Sequence, residues 1–284
     1  RDDDTTFTLG INQNLQAEDV MVGYNLAHHF TEVQMSQGAK ITAGHMYLGY
    51  GQDTIGRITL DKLQTGLIAD YLYVGYNSEG DVAQSKGVTS VAESLYVGFM
   101  PGSVGRYTLS GGMVVAGDEA VGVLGEGTVS HWGGTNKVAG SLFIGYGPSG
   151  DGRYILDGGT LEAGEILVGR NGGKGYLSIG PTSILDADRI VVSANGRIAG
   201  SRDWAMSSVL EVVGGNLIMD TDCDLNLVGD STTVLSGGNI VADDVHLGDD
   251  GTMLMTAKLQ QSGGALYANR ELIIGPNGSN LGLY

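Results

Sequence analysis

The sequence predicts an all-β fold, a single parallel β-solenoid (β-helix) with about 24 residues and three short strands in each coil. Glycine supplies 49 of the 284 residues and proline only 4, which suits a chain with many tight corners. An apolar segment ending in glycine recurs at nearly constant spacing. Hydrophobic residues make up 42% of the chain, enough for a packed core, so the glycine excess does not indicate disorder.

The recurrent segment has the form apolar, variable, apolar, glycine, as in Leu72-Tyr73-Val74-Gly75. Its last position falls at eight places, separated by 26, 26, 23, 24, 23, 24 and 24 residues. A period in this range, held over so many copies, is typical of repeat units that stack on one another. The eight landmark positions are Gly23, Gly49, Gly75, Gly98, Gly122, Gly145, Gly169 and Ser193.

Two further β-like pieces complete each repeat. The second follows a turn of small polar residues, as in Arg106-Tyr107-Thr108-Leu109, and ends at a glycine pair. The third is short and ends in alanine, as in Val114-Val115-Ala116. Three strands with glycine corners make one triangular coil, and stacked coils bury a core that one coil cannot bury alone.

Side-chain alternation within the landmark segment separates an inner from an outer face. The inner face predicts one buried column formed by Leu48, Val74, Val97, Ile144 and Val168. The outer face predicts an aromatic ladder, which is the candidate interaction and assembly face, formed by Tyr47, Tyr73, Tyr96 and Phe143. A second ladder is expected at the neighbouring corner, formed by Tyr24, Tyr50, Tyr76, Phe99 and Tyr146. Such rings can stack on sugars or pack against another protein, or only stabilise their own sheet.

The repeat divides the chain into a regular and an irregular part. We expect one solenoid over residues 1–284, with regular coils at 20–195 and irregular coils from there to 284. The next recognisable landmark after Ser193 is Gly229, a gap of 36 residues, which predicts an insertion near 196–215.

The charge balance restricts the partners of the protein. Lysine and arginine number 15 against 32 acidic residues, a net charge of −17. So acidic a surface repels phosphate backbones, so nucleic acid is not expected as a partner. No apolar run approaches the length of a membrane span, so none is expected.

One acidic segment is a candidate calcium site. Asp220, Asp222 and Asp224 share an outward face, and their carboxylates are the hard oxygen ligands that Ca²⁺ takes. The alternative is a solvated acidic edge that discourages wrong strand pairing. No other cofactor is expected. Cys223 alternates onto the inner face, so it is either a buried thiol or the source of a disulfide between chains.

The repeat units resemble those of a known group of proteins. GRYTLSGGMVVAG, GRYILDGGTLEAG and SLFIGYGPSGDG are similar to the glycine-rich repeats of bacterial autotransporter-type passengers and related surface proteins. The likeness covers roughly residues 20–195 and is one of repeat style. It implies an extracellular or cell-surface parallel β-helix and no specific activity.

The sequence predicts a structural protein and not an enzyme. Acidic residues in the regular coils are scattered among turns, where aspartate commonly bonds its own backbone. Neither end has a recognisable cap, so we expect end-to-end self-assembly into a fibre, sheath or surface layer, with copies of the chain as partners. The alternative is an adhesin that binds surface glycans, and a third hypothesis is a polysaccharide-degrading β-helix enzyme.

Overall fold

The computed structural model describes residues 5–24, 30–200, 204–206, 209–220, 223–227, 231–247 and 257–274. These residues contain β-strands, turns and bends and no helix. The strands pair in 22 registers, all of them parallel. The predicted parallel β-solenoid is confirmed.

The 23 strands are numbered in chain order. Their bounds are β1 Thr5–Leu9, β2 Asn14–Val22, β3 Phe30–Met35, β4 Lys40–Leu48, β5 Ile55–Leu60, β6 Gly66–Val74, β7 Glu79–Gln84, β8 Val88–Val97, β9 Val104–Leu109, β10 Met113–Val121, β11 Glu126–His131, β12 Thr135–Tyr146, β13 Asp151–Leu156, β14 Gly159–Arg170, β15 Lys174–Ile179, β16 Ser183–Ser193, β17 Gly196–Gly200, β18 Trp204–Met206, β19 Val209–Met219, β20 Leu225–Leu227, β21 Thr232–Leu247, β22 Lys258–Gln261 and β23 Ala265–Ile274.

A regular coil consists of one short strand and one long, bent strand. In β6, Leu67 and Ala69 face the core before the bend, and Leu72 and Val74 face it after the bend. The alternation therefore changes phase between Ala69 and Leu72, where the pairing with β8 also shifts its register. The third piece of one repeat and the first piece of the next are thus two faces of one strand.

Residues one coil apart stack into columns along the rod. One inward column continues without a break through twelve coils. Its members are Phe7, Val33, Ile58, Val82, Tyr107, Val129, Tyr154, Leu177, Ile198, Leu217, Ile240 and Leu266.

The predicted inner column is confirmed. Each of its five members is completely buried, and Val121 fills the position that the sequence pattern left between Val97 and Ile144. One hydrophobic cluster extends from Leu9 to Leu259. The described part of the chain is therefore held by one continuous core.

The landmark glycines form one corner of the rod. Gly23 and its equivalents through Gly169 have φ between 68° and 77°, a region that L side chains rarely adopt. At Gly98 a Cβ atom would also lie 2.2 Å from the carbonyl oxygen of Glu126 in the following coil. The repeated glycine is therefore required both by backbone conformation and by close packing between coils.

The coils change after residue 193. Ile198 pairs with Leu217, a separation of 19 residues, and Val192 pairs with Val212, a separation of 20. The described residues of this segment thus form a coil that is shorter than the regular ones. Residues 201–203 and 207–208 of the segment where an insertion is predicted lie outside the described residues, and so does Gly229. The division into regular and irregular coils stays a prediction.

Candidate functional site

The outer aromatic face carries rings in three columns. The middle column is the predicted ladder: Tyr47, Tyr73 and Tyr96 occupy one outward position in successive coils. Their ring centroids are 4.9 and 5.0 Å apart, and the planes deviate by 8° and 17°. Parallel register places like residues directly above one another, which is the geometry in which flat rings stack.

The corner column lies beside it. Tyr24, Tyr50, Tyr76 and Phe99 follow the landmark glycines and stack at 5.6, 5.4 and 5.6 Å. Rings of the two columns meet edge to face, as between Tyr73 and Tyr76 at 5.3 Å and 84°. The two predicted ladders therefore interlock into one packed aromatic layer as far as Phe99, whereas Tyr146 of the predicted corner ladder contacts Phe143 and not Phe99.

A third column was missed at the sequence level. His45 stacks on Tyr71 at 5.3 Å, and Asp19 lies in the coil before it, 3.4 Å from His45 Nδ1. The sequence contains a pattern that predicts this column: both rings precede a ladder tyrosine by two positions, so they point to the same outer face.

Phe143 does not continue the ladder. Ala120 occupies the outward position in the coil between Tyr96 and Phe143, so the stack is interrupted there. Phe143 instead contacts Tyr146 of its own coil, edge to face at 5.2 Å. The expectation that Phe143 stacks with the three tyrosines is wrong, because alanine supplies no ring at the intervening coil.

The rings of the ladder stack on one another, so their faces are covered by neighbouring rings. Tyr47, Tyr73 and Tyr96 are only partly exposed, whereas Tyr24 at the start of the corner column is 61% exposed. Burial, followed by the neighbouring Tyr96 and Tyr47, raises the pKa of Tyr73 to about 12. Stacking therefore covers the ring faces within the ladder, and the raised pKa keeps the Tyr73 phenol protonated at neutral pH.

Of the three candidate calcium residues, only Asp224 lies in a cluster of possible metal ligands, and the other two members of that cluster were not predicted. Ligand atoms of Asp224, Asp244 and His246 lie within 4.8 Å of one another. Arg270 approaches the same carboxylates, 2.8 Å from Asp244 and 3.9 Å from Asp224. This guanidinium already supplies positive charge to the cluster, as a calcium ion would.

Among the described residues of this segment, Asp220 and Cys223 are not members of that cluster. Asp220 is exposed, and Asp222 lies outside the described residues. Cys223 is buried, with 9% of its surface exposed, as expected for the inner-face alternative.

A buried polar cluster in the central coils was not predicted. Seven side chains with polar groups lie inside the rod, and each is at most 2% exposed. They are Gln84, Thr89, Tyr107, Glu119, His131, Asn136 and Tyr154. Each takes an inward position that neighbouring coils fill with aliphatic residues, so polar residues at inward parity were the available signal.

Hydrogen bonds connect the first half of the cluster. The Tyr107 hydroxyl lies 2.5 Å from Gln84 Oε1 and 2.9 Å from Thr89 Oγ1, and it donates its single proton to one of these two oxygens at a time. Thr89 donates to Gln84 Oε1 at 2.9 Å, and the Gln84 amide donates to the carbonyl oxygens of Gly87 and Met113. Burial raises the pKa of Tyr107, so this phenol stays protonated as a donor.

The second half is built around Tyr154. Asn136 Nδ2 donates to the Tyr154 hydroxyl at 2.9 Å and to Glu119 Oε2 at 2.8 Å. His131 Nδ1 lies 3.0 Å from the same hydroxyl, and its Nε2 lies 3.3 Å from the Gly134 carbonyl oxygen. Burial lowers the pKa of His131, so a neutral ring that donates from Nε2 and accepts at Nδ1 fits both contacts.

In comparisons with known proteins, no protein-family model, curated protein or solved structure matches the chain. In the described ranges, no helix has the length and apolar character needed to cross a membrane.

Proposed function

We propose that this chain is a non-catalytic structural protein that works outside the cell and assembles end to end with copies of itself. The product would be a fibre, a sheath or a surface layer. The observation that carries the proposal is that the inward columns of the rod have uncovered apolar members in the first coil.

The first coil exposes side chains at inward positions that the next coils bury. Phe7 is 49% exposed, although Val33, the next member of its column, is only 7% exposed. Among the described strands, β1 pairs only with β3 and β2 only with β4. The first described coil thus leaves part of an apolar surface exposed, and burial of that surface favours association with another apolar surface.

The last described coil offers a matching surface. Leu266 and Ala268 continue two inward columns from Ile240 and Ala242, and they are partly exposed where those two are completely buried. The first and last described coils therefore contain partly exposed members of one inward column, Phe7 and Leu266. Stacking one end on the other would extend the ladder of hydrogen bonds, as in cross-β assemblies.

Charge favours axial over lateral contact. The net charge of −17 makes two rods repel each other side by side. The apolar columns at the ends are open to association, because burying them is favoured by the hydrophobic effect.

The extracellular location rests on the resemblance of the repeats to those of autotransporter-type passengers. An isolated solenoid with a strongly acidic surface suits such a location, because it stays soluble at high concentration.

A glycan-binding adhesin is the second candidate function, and the exposed Tyr24 ring favours it. The stacked rings of Tyr47, Tyr73 and Tyr96 weigh against it, because sugars bind to open ring faces, which this ladder covers. A polysaccharide-degrading enzyme ranks third. Acidic residues in the regular coils have structural contacts, as Asp81 has with Arg57 at 2.7 Å and Asp118 with the Ser141 amide at 2.8 Å.

Analytical ultracentrifugation and electron microscopy of the 284-residue chain test the assembly proposal. We expect polymers whose length grows with protein concentration. Phe7→Glu should abolish them, because it places a charge in the apolar end surface. Thr6→Glu is the matched control: it adds the same charge at the adjacent, exposed outward position, and should leave assembly intact.

Samples with added calcium and with a chelator separate the role of the Asp224 cluster. Loss of polymers on chelation would assign the ion to assembly, as part of the same proposal. A wild-type chain that sediments as a monomer at high concentration in both conditions contradicts end-to-end assembly. Binding of that monomer to a glycan array would then establish the adhesin alternative.

A further inference from the structure

Glu119 lies in the core of the rod, and no residue in the described part of the chain gives it a cationic partner. It is 1% exposed and stacks between Leu95 of β8 and Leu142 of β12. The titratable groups that face it are Tyr107 of β9 and Tyr154 of β13, with His131 of β11 behind Tyr154. Among the described lysines and arginines, none forms an ion pair with it. A carboxylate here would be an uncompensated buried charge.

Two buried oxygen atoms at this site, one on Glu119 and one on Asn136, have no hydrogen-bond donor. Asn136 uses both hydrogens of its amide nitrogen, one to Glu119 Oε2 and one to Tyr154. Glu119 Oε1 and Asn136 Oδ1 are both buried and have no hydrogen-bond partner. Both atoms are acceptors when Glu119 is ionised, whereas a protonated carboxyl group adds the one donor that pairs them.

We propose that Glu119 is a proton-binding site that controls the stability of the central coils. In the folded chain the carboxyl group carries its proton on Oε1 and donates it to Asn136 Oδ1, so that acid and amide form a ring of two hydrogen bonds. Removing the proton leaves a charge and unpaired acceptors in the core. The coils formed by residues 104–156 are then stabilised in acidic surroundings and loosened as pH rises.

The direction of the titration agrees with this geometry. Burial raises the pKa of Glu119 from 4.5 to about 7, and the hydrogen bond from Asn136 offsets part of the rise. Because the folded chain holds the proton more tightly than the unfolded chain, Glu119 stabilises the fold fully below pH 4.5. This contribution declines above that pH and is lost as pH rises through about 7.

His131 acts in the opposite direction. Its lowered pKa means that the folded chain binds its proton less tightly, so its contribution is lost as pH falls. A comparison of variants at each pH is therefore needed to isolate Glu119 from His131.

Urea unfolding of the full chain between pH 5 and 8.5 tests the proposal. Glu119→Gln keeps the shape of the protonated acid and replaces its O–H donor with N–H. Relative to this variant, the wild-type folding constant should fall by about one to three orders of magnitude over the range. Glu126→Gln is the matched control, because Glu126 is exposed and the charge change is the same; it should follow the wild type.

Isotope-edited infrared spectroscopy measures directly whether the Glu119 carboxyl group is protonated. With labelled glutamate, the folded wild type at pH 6 should show a protonated carboxyl band that is absent from Glu119→Gln and kept in Glu126→Gln. If no such band occurs, or if Glu119→Gln has the same pH dependence as the wild type, the proposal is overturned. Should Glu119→Gln fail to fold, the presence or absence of the band in the wild type and Glu126→Gln decides.

Discussion

Two neighbouring regions of the rod place tyrosine on opposite sides of the same sheet architecture. In the coils from His45 to Phe99, the rings of Tyr47, Tyr73 and Tyr96 stack on the outer face. In the coils from Val104 to Leu156, Tyr107 and Tyr154 lie inside, and the outer column is interrupted by Ala120. The coil geometry is the same in both, so parity in the strand decides whether a tyrosine is stacked or buried.

The physical consequence differs between the two regions. An outer ring is stabilised by stacking on its neighbours and leaves its hydroxyl in water. Its hydroxyl therefore needs no hydrogen-bond partner in the core. A buried tyrosine must find a partner for its hydroxyl, and that partner must find others. Gln84 and Thr89 lie within hydrogen-bond distance of the Tyr107 hydroxyl. Asn136 and His131 lie within hydrogen-bond distance of the Tyr154 hydroxyl. Each buried tyrosine therefore requires further polar residues beside it in the central core.

The largest expected effect comes from the core that both regions share. Val97→Asp places a charge in a completely buried column beside Val74 and Val121, and should lower the free energy of unfolding by more than about 4 kcal/mol. Loss of the far-UV β signal and of the cooperative thermal transition measures this. Tyr96→Ser, one position earlier and outward, should be much milder. If the two effects were reversed, the assignment of the inner and outer faces would be wrong.

The next effect separates the buried tyrosines from the stacked ones. Tyr107→Phe removes only a hydroxyl, but it takes one buried donor away from the group that it forms with Gln84 and Thr89, which should cost about 1–3 kcal/mol. Tyr73→Phe also removes one hydroxyl, from the outer ladder, and should cost less than about 0.5 kcal/mol. Denaturant unfolding of the two variants measures the difference, and equal losses would contradict the distinction between the regions.

The features that the sequence predicts are those formed by residues that recur in every coil. The landmark glycines and the alternation around Val74 predict the fold and the inner column, because every coil repeats them. The polar cluster could not be read from the period, since Glu119 and Asn136 each occur once, at positions where other coils carry Leu95 or Leu161. Only their three-dimensional proximity shows that they form a pair.

The same reasoning accounts for Phe143. Its position in the repeat predicts a ladder ring, but stacking depends on the adjacent coil, and Ala120 in that coil breaks the column. A motif that recurs along a solenoid therefore predicts where a side chain points more reliably than what it contacts.

The smallest expected effect tests this point. Phe143→Ala removes a ring with one aromatic neighbour, whereas Tyr73→Ala removes a ring stacked on Tyr47 and Tyr96 and in edge contact with Tyr76 and Phe99. At about 0.5–1.5 kcal/mol for each aromatic pair beyond its burial, Phe143→Ala should cost less than Tyr73→Ala by about 1 kcal/mol or more. Replacing Ala120 with tyrosine should bring a ring between Tyr96 and Phe143 and raise the cost of a subsequent Phe143→Ala change. A double-mutant cycle over positions 120 and 143 measures that coupling, and a coupling energy of zero would show that proximity in the column does not by itself produce stacking.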